Sequence, residues 1–234
     1  MSRLARIYEI ASEENHRAIL HAAVPHPGAT LLDLGCADGV VTTRIAERVG
    51  AERVLGVELV RHLADQARRR GIDVLDADLG QPLPYPDASV DVVHSNQVIE
   101  HLNDTDLFLR EIRRVLKPGG YALISTNNLA SWHNVVSLAM GWQPPPCHPS
   151  DELIAGNPAN FGDGTPGALG QMHRRLFTGR ALAAVARHHG FEVELDGASG
   201  YYPLPPRASR AMARLDPRHA AYLVHRYRVP PAAA

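Results

Sequence analysis

A short segment of small residues gives this chain its strongest pattern for binding chemistry. An acid and three small residues alternate with other residues directly after an apolar run, in the order Asp33, Gly35, Ala37 and Gly39. Gly35 permits a sharp turn off a strand, Ala37 leaves room for a ligand, and Gly39 allows close helix packing. The helix that follows would offer unpaired N–H groups to a carboxylate, and Asp33 favours a ligand that bears an ammonium group. The pattern therefore predicts a nucleotide-type site at the start of a helix.

Further acids follow the next two apolar runs. Glu58 stands where an acid that accepts both hydroxyls of a ribose is expected. Asp78 ends the third run, where a carboxylate can accept an exocyclic adenine N–H while the backbone N–H of Leu79 meets a ring nitrogen. Either acid alone could be a solvated strand end, but the acids and glycines together favour one pocket. A nicotinamide-binding loop would instead carry Gly-x-Gly-x-x-Gly.

A second group of polar residues follows the fourth apolar run. If this segment is helical, Gln97, Glu100 and His101 lie at positions i, i+3 and i+4 and share one face. His173 precedes the last predicted helix, which the sheet topology returns to the same mouth. These residue types can accept, donate or hold a proton. The alternatives are that His101 packs, that Glu100 anchors a loop, and that His173 orders the next helix.

Taken together, these motifs resemble the class I S-adenosylmethionine-dependent methyltransferases. Beyond the glycine segment, the resemblance extends from Ala29 to Val193 and includes Val57-Glu58, Asp76-Ala-Asp78-Leu79, Val90-Asp91-Val92-Val93, Val98-Ile99-Glu100-His101-Leu102 and the segment from Glu111 to Gly120. Ala37 replaces the middle glycine of that family's first motif, a small-for-small change that leaves room for the ligand. The resemblance implies S-adenosylmethionine as cofactor, bound by Asp33, Gly35, Cys36, Ala37, Gly39, Glu58, Asp78, Leu79 and Asn96.

The second group is similar to a segment of metal-dependent O-methyltransferases. In small-RNA 2′-O-methyltransferases and ubiquinone-pathway O-methyltransferases, a Glu-His pair and a later His are associated with a divalent metal. Glu100, His101 and His173 are the matching positions, and are the predicted catalytic residues and ligands for Mg²⁺ or Mn²⁺. A metal would ease deprotonation of a hydroxyl acceptor. Gln97 stands where those families often carry an acid, so a metal-free mechanism with His101 as general base also stays open.

Alternating strands and helices must position these residues. Runs rich in Val, Leu and Ile, bounded by Gly, Pro or Asp, alternate with segments of helical period, which is typical of βα units. The predicted strands are 30–34, 53–58, 73–76, 90–94, 121–126, 191–195 and 221–229. The predicted helices are 40–49, 61–70, 104–116 and 178–189. The sequence thus predicts one α/β domain over residues 1–234, Rossmann-like, with a mostly parallel seven-stranded sheet and helices on both faces.

Residues 142–170 interrupt this alternation. Prolines and glycines are dense in this insertion, so little regular structure is expected. Because it also carries large apolar residues such as Trp142 and Phe161, we interpret it as a partly ordered substrate lid, with a linker as the alternative. Trp132 and His133 are expected to border the acceptor site, although Trp132 is as well suited to the core.

Composition limits the partners only weakly. The formal net charge of −1 over 234 residues gives no general attraction to nucleic acid or to an anionic membrane. The N-terminus does not read as a signal peptide and no apolar run is long enough to span a membrane, so the expected location is the cytoplasm. Cys36 and Cys147 occur in dissimilar contexts and are expected to be free thiols.

The acceptor is the least determined feature. A hydroxyl of a small molecule or a glycan is preferred, because the insertion could cover a compact ligand and its aromatic residues could stack on sugar faces. Arg174, Arg175 and Arg180 could form a phosphate patch, which keeps an RNA ribose as an alternative. A non-catalytic S-adenosylmethionine-binding module is a third hypothesis. A homodimer is left open.

Overall fold

Seven strands form one sheet in the order β3-β2-β1-β4-β5-β7-β6. The structure is a computed structural model and describes residues 3–158 and 172–232. The strands are β1 (Ala29–Leu34), β2 (Ala51–Val57), β3 (Asp73–Leu75), β4 (Val90–Asn96), β5 (Leu116–Asn127), β6 (Glu192–Ser199) and β7 (Tyr222–Arg228). Strand β7 is antiparallel to both of its neighbours, and the remaining pairs are parallel. The predicted Rossmann-like, mostly parallel sheet is confirmed.

Helices cover both faces of this sheet. The helices are α1 (Arg3–Ala22), α2 (Val40–Val49), α3 (Arg61–Arg69), α4 (Thr105–Val115), α5 (Trp132–Ala139), α6 (Gly179–His188) and α7 (Pro206–Leu215). Helices α4 and α6 contribute Phe108, Ile112 and Leu182 to the larger core cluster on one face. Helices α1 and α2 contribute Ile19 and Ile45 to the cluster on the opposite face. None of the described helices combines the length and apolar character needed to cross a membrane.

The connection from α4 into β5 shows how local residue types set element ends. Asp104 caps α4 by accepting a 2.8 Å hydrogen bond from the backbone N–H of Leu107. The strand β5 begins at Leu116, five residues before the predicted start. At Gly120 a Cβ atom would lie 2.8 Å from the carbonyl oxygen of Asp91, closer than real contacts allow. Glycine is therefore required where β5 passes β4.

Helix α1 was not among the predicted elements, yet it borders the edge of the sheet where the parallel strands end. The side chain of Asn15 is buried and donates from Nδ2 to Oδ1 of Asn96 at 2.9 Å. Its own Oδ1 accepts from the hydroxyls of Ser125 at 3.0 Å and Ser199 at 3.1 Å. One amide thus ties α1 to the carboxyl ends of β4, β5 and β6.

The described part of the predicted lid, residues 142–158, is a hydrogen-bonded loop. The backbone N–H of Gln143 donates to the carbonyl of Gly156 at 2.8 Å. The amide of Asn157 donates to the carbonyl of Gln143, also at 2.8 Å. Phe161 and the rest of the predicted lid lie outside the described residues, so the lid stays a prediction.

Candidate functional site

The segment between β1 and α2 is a tight turn at the carboxyl edge of the sheet. Gly35, Ala37 and Gly39 all adopt positive φ angles, of 83°, 47° and 82°. A Cβ atom on Gly35 would collide with Val98, and one on Gly39 would lie 3.0 Å from Cα of Ala67 in α3. The turn therefore needs glycine at both positions, once for its sharpness and once for helix packing.

Glu58 ties the end of β2 to this turn. Its Oε2 accepts from the backbone N–H of Ala37 at 2.9 Å, and its Oε1 accepts from that of Val60 at 2.8 Å. Each carboxylate oxygen can accept a second hydrogen bond. Glu58 therefore lies beside the turn, where the ribose contact is predicted. Each of its oxygens could accept a further hydrogen bond from a ligand.

The predicted contact of Asp33 with a ligand ammonium stays a prediction. Its side chain is 1% exposed and lies beneath the turn. Its Oδ2 accepts from the hydroxyl of Thr42 at 2.5 Å, and its Oδ1 lies 2.8 Å from Nδ1 of His94. Both oxygens of this carboxylate thus have a partner within the protein. Through these contacts Asp33 joins β1 to α2 and β4.

Cys36 lies inside the same turn and is 4% exposed. Burial, together with the nearby carboxylates of Asp33 and Glu58, raises the pKa of its thiol to about 12. The thiol is thus protonated and unreactive at neutral pH. Cys36 and Cys147 are both free, as the sequence predicted.

The remaining predicted cofactor residues lie along the same edge. Asp78 is exposed and accepts from the backbone N–H of Gly80 at 2.8 Å. Leu79 is half-buried and packs against the larger core cluster. Asn96 ends β4, with its Oδ1 accepting from Asn15. These positions are consistent with a pocket that runs along the ends of β1 to β4.

The predicted helical face of Gln97, Glu100 and His101 is wrong. Gln97 has a φ of 56°, and its backbone N–H continues the sheet by donating to the carbonyl of Ser125 at 2.8 Å. Only Ile99–His101 form a short 3₁₀ turn. A left-handed residue cannot continue into a right-handed helix, so Gln97 does not share a face with the other two.

Glu100, His101 and His173 nevertheless converge. One oxygen or nitrogen from each side chain lies within 4.8 Å of those of the other two. Main-chain bonds bring the segments together, because the carbonyl of Glu100 accepts from the N–H groups of Arg174 at 2.6 Å and Arg175 at 3.1 Å. Contacts between segments distant in sequence therefore bring these residues together, and not the spacing of residues along one helix.

The carboxylate of Glu100 is 0% exposed. Its Oε2 accepts from the hydroxyl of Thr126 at 2.8 Å, and its Oε1 lies 3.4 Å from the amide nitrogen of Asn127. Burial raises its pKa to about 7, although these hydrogen bonds favour the charged form. The effect of desolvation on the pKa of Glu100 is therefore larger than the opposite effect of the neutral donors around this side chain.

In both histidines Nδ1 is bound to a backbone carbonyl, and Nε2 of His173 also lies 3.5 Å from the amide nitrogen of Asn127. Nδ1 of His101 lies 3.2 Å from the carbonyl oxygen of Met172, and Nδ1 of His173 lies 2.8 Å from that of Pro146. A carbonyl oxygen can only accept, so each Nδ1 carries the hydrogen and each Nε2 keeps its lone pair. Burial lowers the pKa of His101, and lowers that of His173 to about 4. Both rings are thus neutral at pH 7.

Comparison with known proteins shows the family to which this chain belongs. Residues 32–124 match the family model described as "Methyltransferase domain". A Mycolicibacterium smegmatis protein named "Probable S-adenosylmethionine-dependent methyltransferase" is 30% identical over 223 residues, which span 91% of this chain and 71% of that protein. The chain belongs to the S-adenosylmethionine-dependent methyltransferases.

Other relatives of this methyltransferase agree with that assignment. A malonyl-[acyl-carrier protein] O-methyltransferase from Serratia marcescens is 35% identical over 147 residues, or 61% of this chain and 55% of that protein. The crystal structure of an S-adenosylmethionine-dependent methyltransferase from Mesorhizobium loti superposes with a TM-score of 0.60 and 21% identity. The superposition covers 90% of this chain and 96% of that one. This likeness shows the shared fold.

Three residues near the cluster of the methyltransferase were missed by the sequence reasoning. Thr126 and Asn127 end β5, and polar residues at the carboxyl end of a parallel strand were a usable signal. His148 stacks on His173 with ring centroids 4.9 Å apart and an interplanar angle of 12°. In the sequence, the one feature that could have drawn attention to His148 was its place in the proline-rich stretch of the insertion.

Trp132 and His133 begin α5. The indole N–H of Trp132 donates to the carbonyl of Tyr202 at 3.1 Å, and the ring packs against a small core cluster near α7. Nε2 of His133 lies 3.2 Å from the hydroxyl of Ser131, and burial lowers the pKa of His133 to about 4. Trp132 thus has a packing role in this methyltransferase, and the predicted contact of either residue with the acceptor remains a prediction.

Proposed function

We propose that this methyltransferase transfers the methyl group of S-adenosylmethionine to a hydroxyl of a small molecule or glycan, beside Glu100, His101 and His173. The observation that carries the proposal is the convergence of one carboxylate and two imidazoles within 4.8 Å. Methyl transfer is an in-line displacement that needs no covalent enzyme intermediate. An unactivated hydroxyl must also lose a proton, and these three groups are suited to that task.

Neutral imidazoles are ready proton acceptors. Each Nδ1–H donates to a carbonyl, so Nε2 of His101 or His173 can accept the hydroxyl proton. The carbonyl bond also fixes the orientation of each ring. The charge of an ionised Glu100 would stabilise an imidazolium formed beside it.

The same three residues suit a divalent cation. A buried carboxylate and two imidazoles whose N–H groups bind carbonyls are features of metal ligands and their supporting shell. Glu100, His101 and His173 would hold the ion, which when bound would lower the pKa of the acceptor hydroxyl. Hard Mg²⁺ prefers oxygen ligands, whereas two imidazoles raise the relative affinity for Mn²⁺.

The pairing of two arginines supports a compact acceptor over RNA. Arg174 is paired with Asp151 at 2.6 Å, and Arg175 donates to the carbonyl of Asn103 at 3.0 Å. Of the three arginines considered for a phosphate patch, two therefore have protein partners. The malonyl-[acyl-carrier protein] relatives, named as O-methyltransferases, favour oxygen as the accepting atom.

The proposal is tested by identifying the product. The protein is incubated with S-adenosylmethionine carrying a ¹³C-labelled methyl group and a panel of sugars and small alcohols, with Mg²⁺ or Mn²⁺ added. We expect a labelled methyl ether that NMR identifies by its O–CH₃ signal, and its loss in His101→Ala protein that still binds S-adenosylhomocysteine. A product methylated on nitrogen or carbon would contradict the proposal. Tight cofactor binding without turnover on any acceptor would favour a non-catalytic module.

A further inference from the structure

His148 contacts His173 in two ways. The backbone N–H of His173 donates to Nδ1 of His148 at 3.1 Å. The two rings are stacked, with centroids 4.9 Å apart and planes 12° apart. Because Nδ1 of His148 accepts a hydrogen bond, the hydrogen of this neutral ring is on Nε2.

The same short segment holds the His173 ring from its other side. Pro146, two residues before His148, accepts the Nδ1–H of His173 at 2.8 Å. Residues 146–148 thus bind the main chain, the ring face and one ring nitrogen of His173. The other ring nitrogen of His173, Nε2, lies 3.5 Å from the amide nitrogen of Asn127.

The clamping segment is itself held in place. The side-chain amide of Gln143 donates to the carbonyl of Cys147 at 2.8 Å, and the N–H of Cys147 donates to the carbonyl of Pro144 at 2.9 Å. No hydrogen bond in this arrangement requires the thiol of Cys147. That side chain therefore offers a matched control within the same segment.

We propose that His148 is a positioning residue that fixes the orientation and tautomer of His173, so that Nε2 of His173 stays beside Asn127 in the cluster with Glu100 and His101. The inference rests on the proposed function for the chemical use of His173, but the positioning itself is a property of the protein alone. His148 acts through His173 and does not touch the acceptor. Loss of its ring frees the main chain at His173 and weakens the hold of Pro146 on Nδ1.

Three variants separate the contributions of His148. His148→Ala removes both the ring face and the acceptor. His148→Asn keeps an acceptor oxygen within reach of the His173 N–H and is expected to restore most of the wild-type behaviour. Cys147→Ser changes the neighbouring side chain and should leave His173 unaffected.

The first measurement is ¹⁵N NMR of the histidine rings in metal-free protein with S-adenosylhomocysteine bound. We expect the Nδ1–H tautomer of His173 in wild type, His148→Asn and Cys147→Ser, and a mixture of tautomers in His148→Ala. A wild-type His173 spectrum in His148→Ala would overturn the proposal. This result is independent of any metal and of any acceptor.

The second measurement is Mn²⁺ affinity, followed by the EPR signal of the free ion. Supporting residues of metal sites typically change affinity by about 10- to 100-fold, so His148→Ala should bind Mn²⁺ at least about tenfold more weakly. His148→Asn should recover most of this affinity, and S-adenosylhomocysteine affinity should not change. Failure of the Asn variant to recover would make His148 a ligand and contradict a positioning role. If wild type binds no Mn²⁺, the metal part of the proposed function fails, and the NMR result still decides the role of His148.

Discussion

The carboxylate of Glu100 and the hydroxyl of Thr126 share a 2.8 Å hydrogen bond that has no solvent access on the Glu100 side. Among the described residues, no basic side chain forms an ion pair with this carboxylate. Neutral donors stabilise its charge less than a cation would, and burial raises its pKa to about 7. When Glu100 is ionised, its negative charge is therefore not neutralised by any described basic side chain.

Replacing Glu100 with Gln should stabilise the metal-free protein at pH 7 and above. The pKa of Glu100 rises from 4.5 to about 7 on folding, so between these values the folded protein holds a proton that the unfolded chain has released. The cost of ionising Glu100 thus grows as pH rises through this window. It is complete above pH 7, at roughly 3 kcal/mol. Glutamine avoids this cost and can still accept from Thr126.

Urea denaturation between about pH 5 and pH 8, with a chelator present, checks this expectation. The free energy of unfolding of the Gln variant minus that of wild type should increase with pH and level off above pH 7. The same replacement at the exposed Glu152 serves as the control. A pH-independent difference for Glu100→Gln would show that Glu100 titrates as an ordinary surface acid.

Replacing Glu58 with Ala should weaken cofactor binding. The change removes the predicted acceptor for the ribose hydroxyls and the bonds to the N–H groups of Ala37 and Val60. A hydrogen bond to a charged group contributes roughly 1.5 to 3 kcal/mol, which corresponds to a loss of about 10- to 100-fold in affinity. Calorimetric titration with S-adenosylhomocysteine measures this loss, and the exposed Glu52→Ala serves as control. Unchanged affinity would remove Glu58 from the cofactor site.

Alanine substitutions at two glycines with nearly equal φ angles can distinguish the cost of steric crowding from the cost of backbone strain. Gly39 and Gly71 have φ angles of 82° and 83°, but only Gly39 has close neighbours, since a Cβ there would lie 2.6 Å from Cδ1 of Ile72. Gly71→Ala should cost roughly 1 to 2 kcal/mol of unfolding free energy through backbone conformation alone. Gly39→Ala should cost roughly 1 to 3 kcal/mol more through overpacking. Denaturant titration of both variants measures the difference, and equal losses would contradict the packing role of Gly39.

The sheet was predictable because its strands are nearly continuous runs of Val, Leu and Ile bounded by turn residues. Helix α2 was predicted at its observed bounds, since Gly39 and Gly50 flank a segment of helical period. Helix α5 was missed because its buried face is polar and its exposed face is apolar. Its polar residues Asn134 and Ser137 are buried, whereas the apolar Val136 is exposed. Amphipathic periodicity assumes the opposite arrangement.

The candidate site was predictable in its residue types but not in its geometry. Glu100, His101 and His173 do converge, although the predicted shared helix does not exist because Gln97 has a positive φ. The burial of Asp33 and the approach of His148 depend on contacts between segments far apart in the chain. Sequence spacing carries no information about such contacts, so these two features required the structure.

Methylation by chelator-treated enzyme, before and after each metal is added back, tests the central claim most directly. The acceptor is the one identified in the product screen, and activity is followed as S-adenosylhomocysteine release. If Glu100, His101 and His173 hold a catalytic cation, chelation abolishes methylation and Mn²⁺ or Mg²⁺ restores it. His101→Ala and His173→Ala, which should still bind S-adenosylhomocysteine, should not be rescued. Full activity in the chelated wild type would contradict a metal at this cluster, and full activity in both variants would contradict any role of the cluster in methyl transfer.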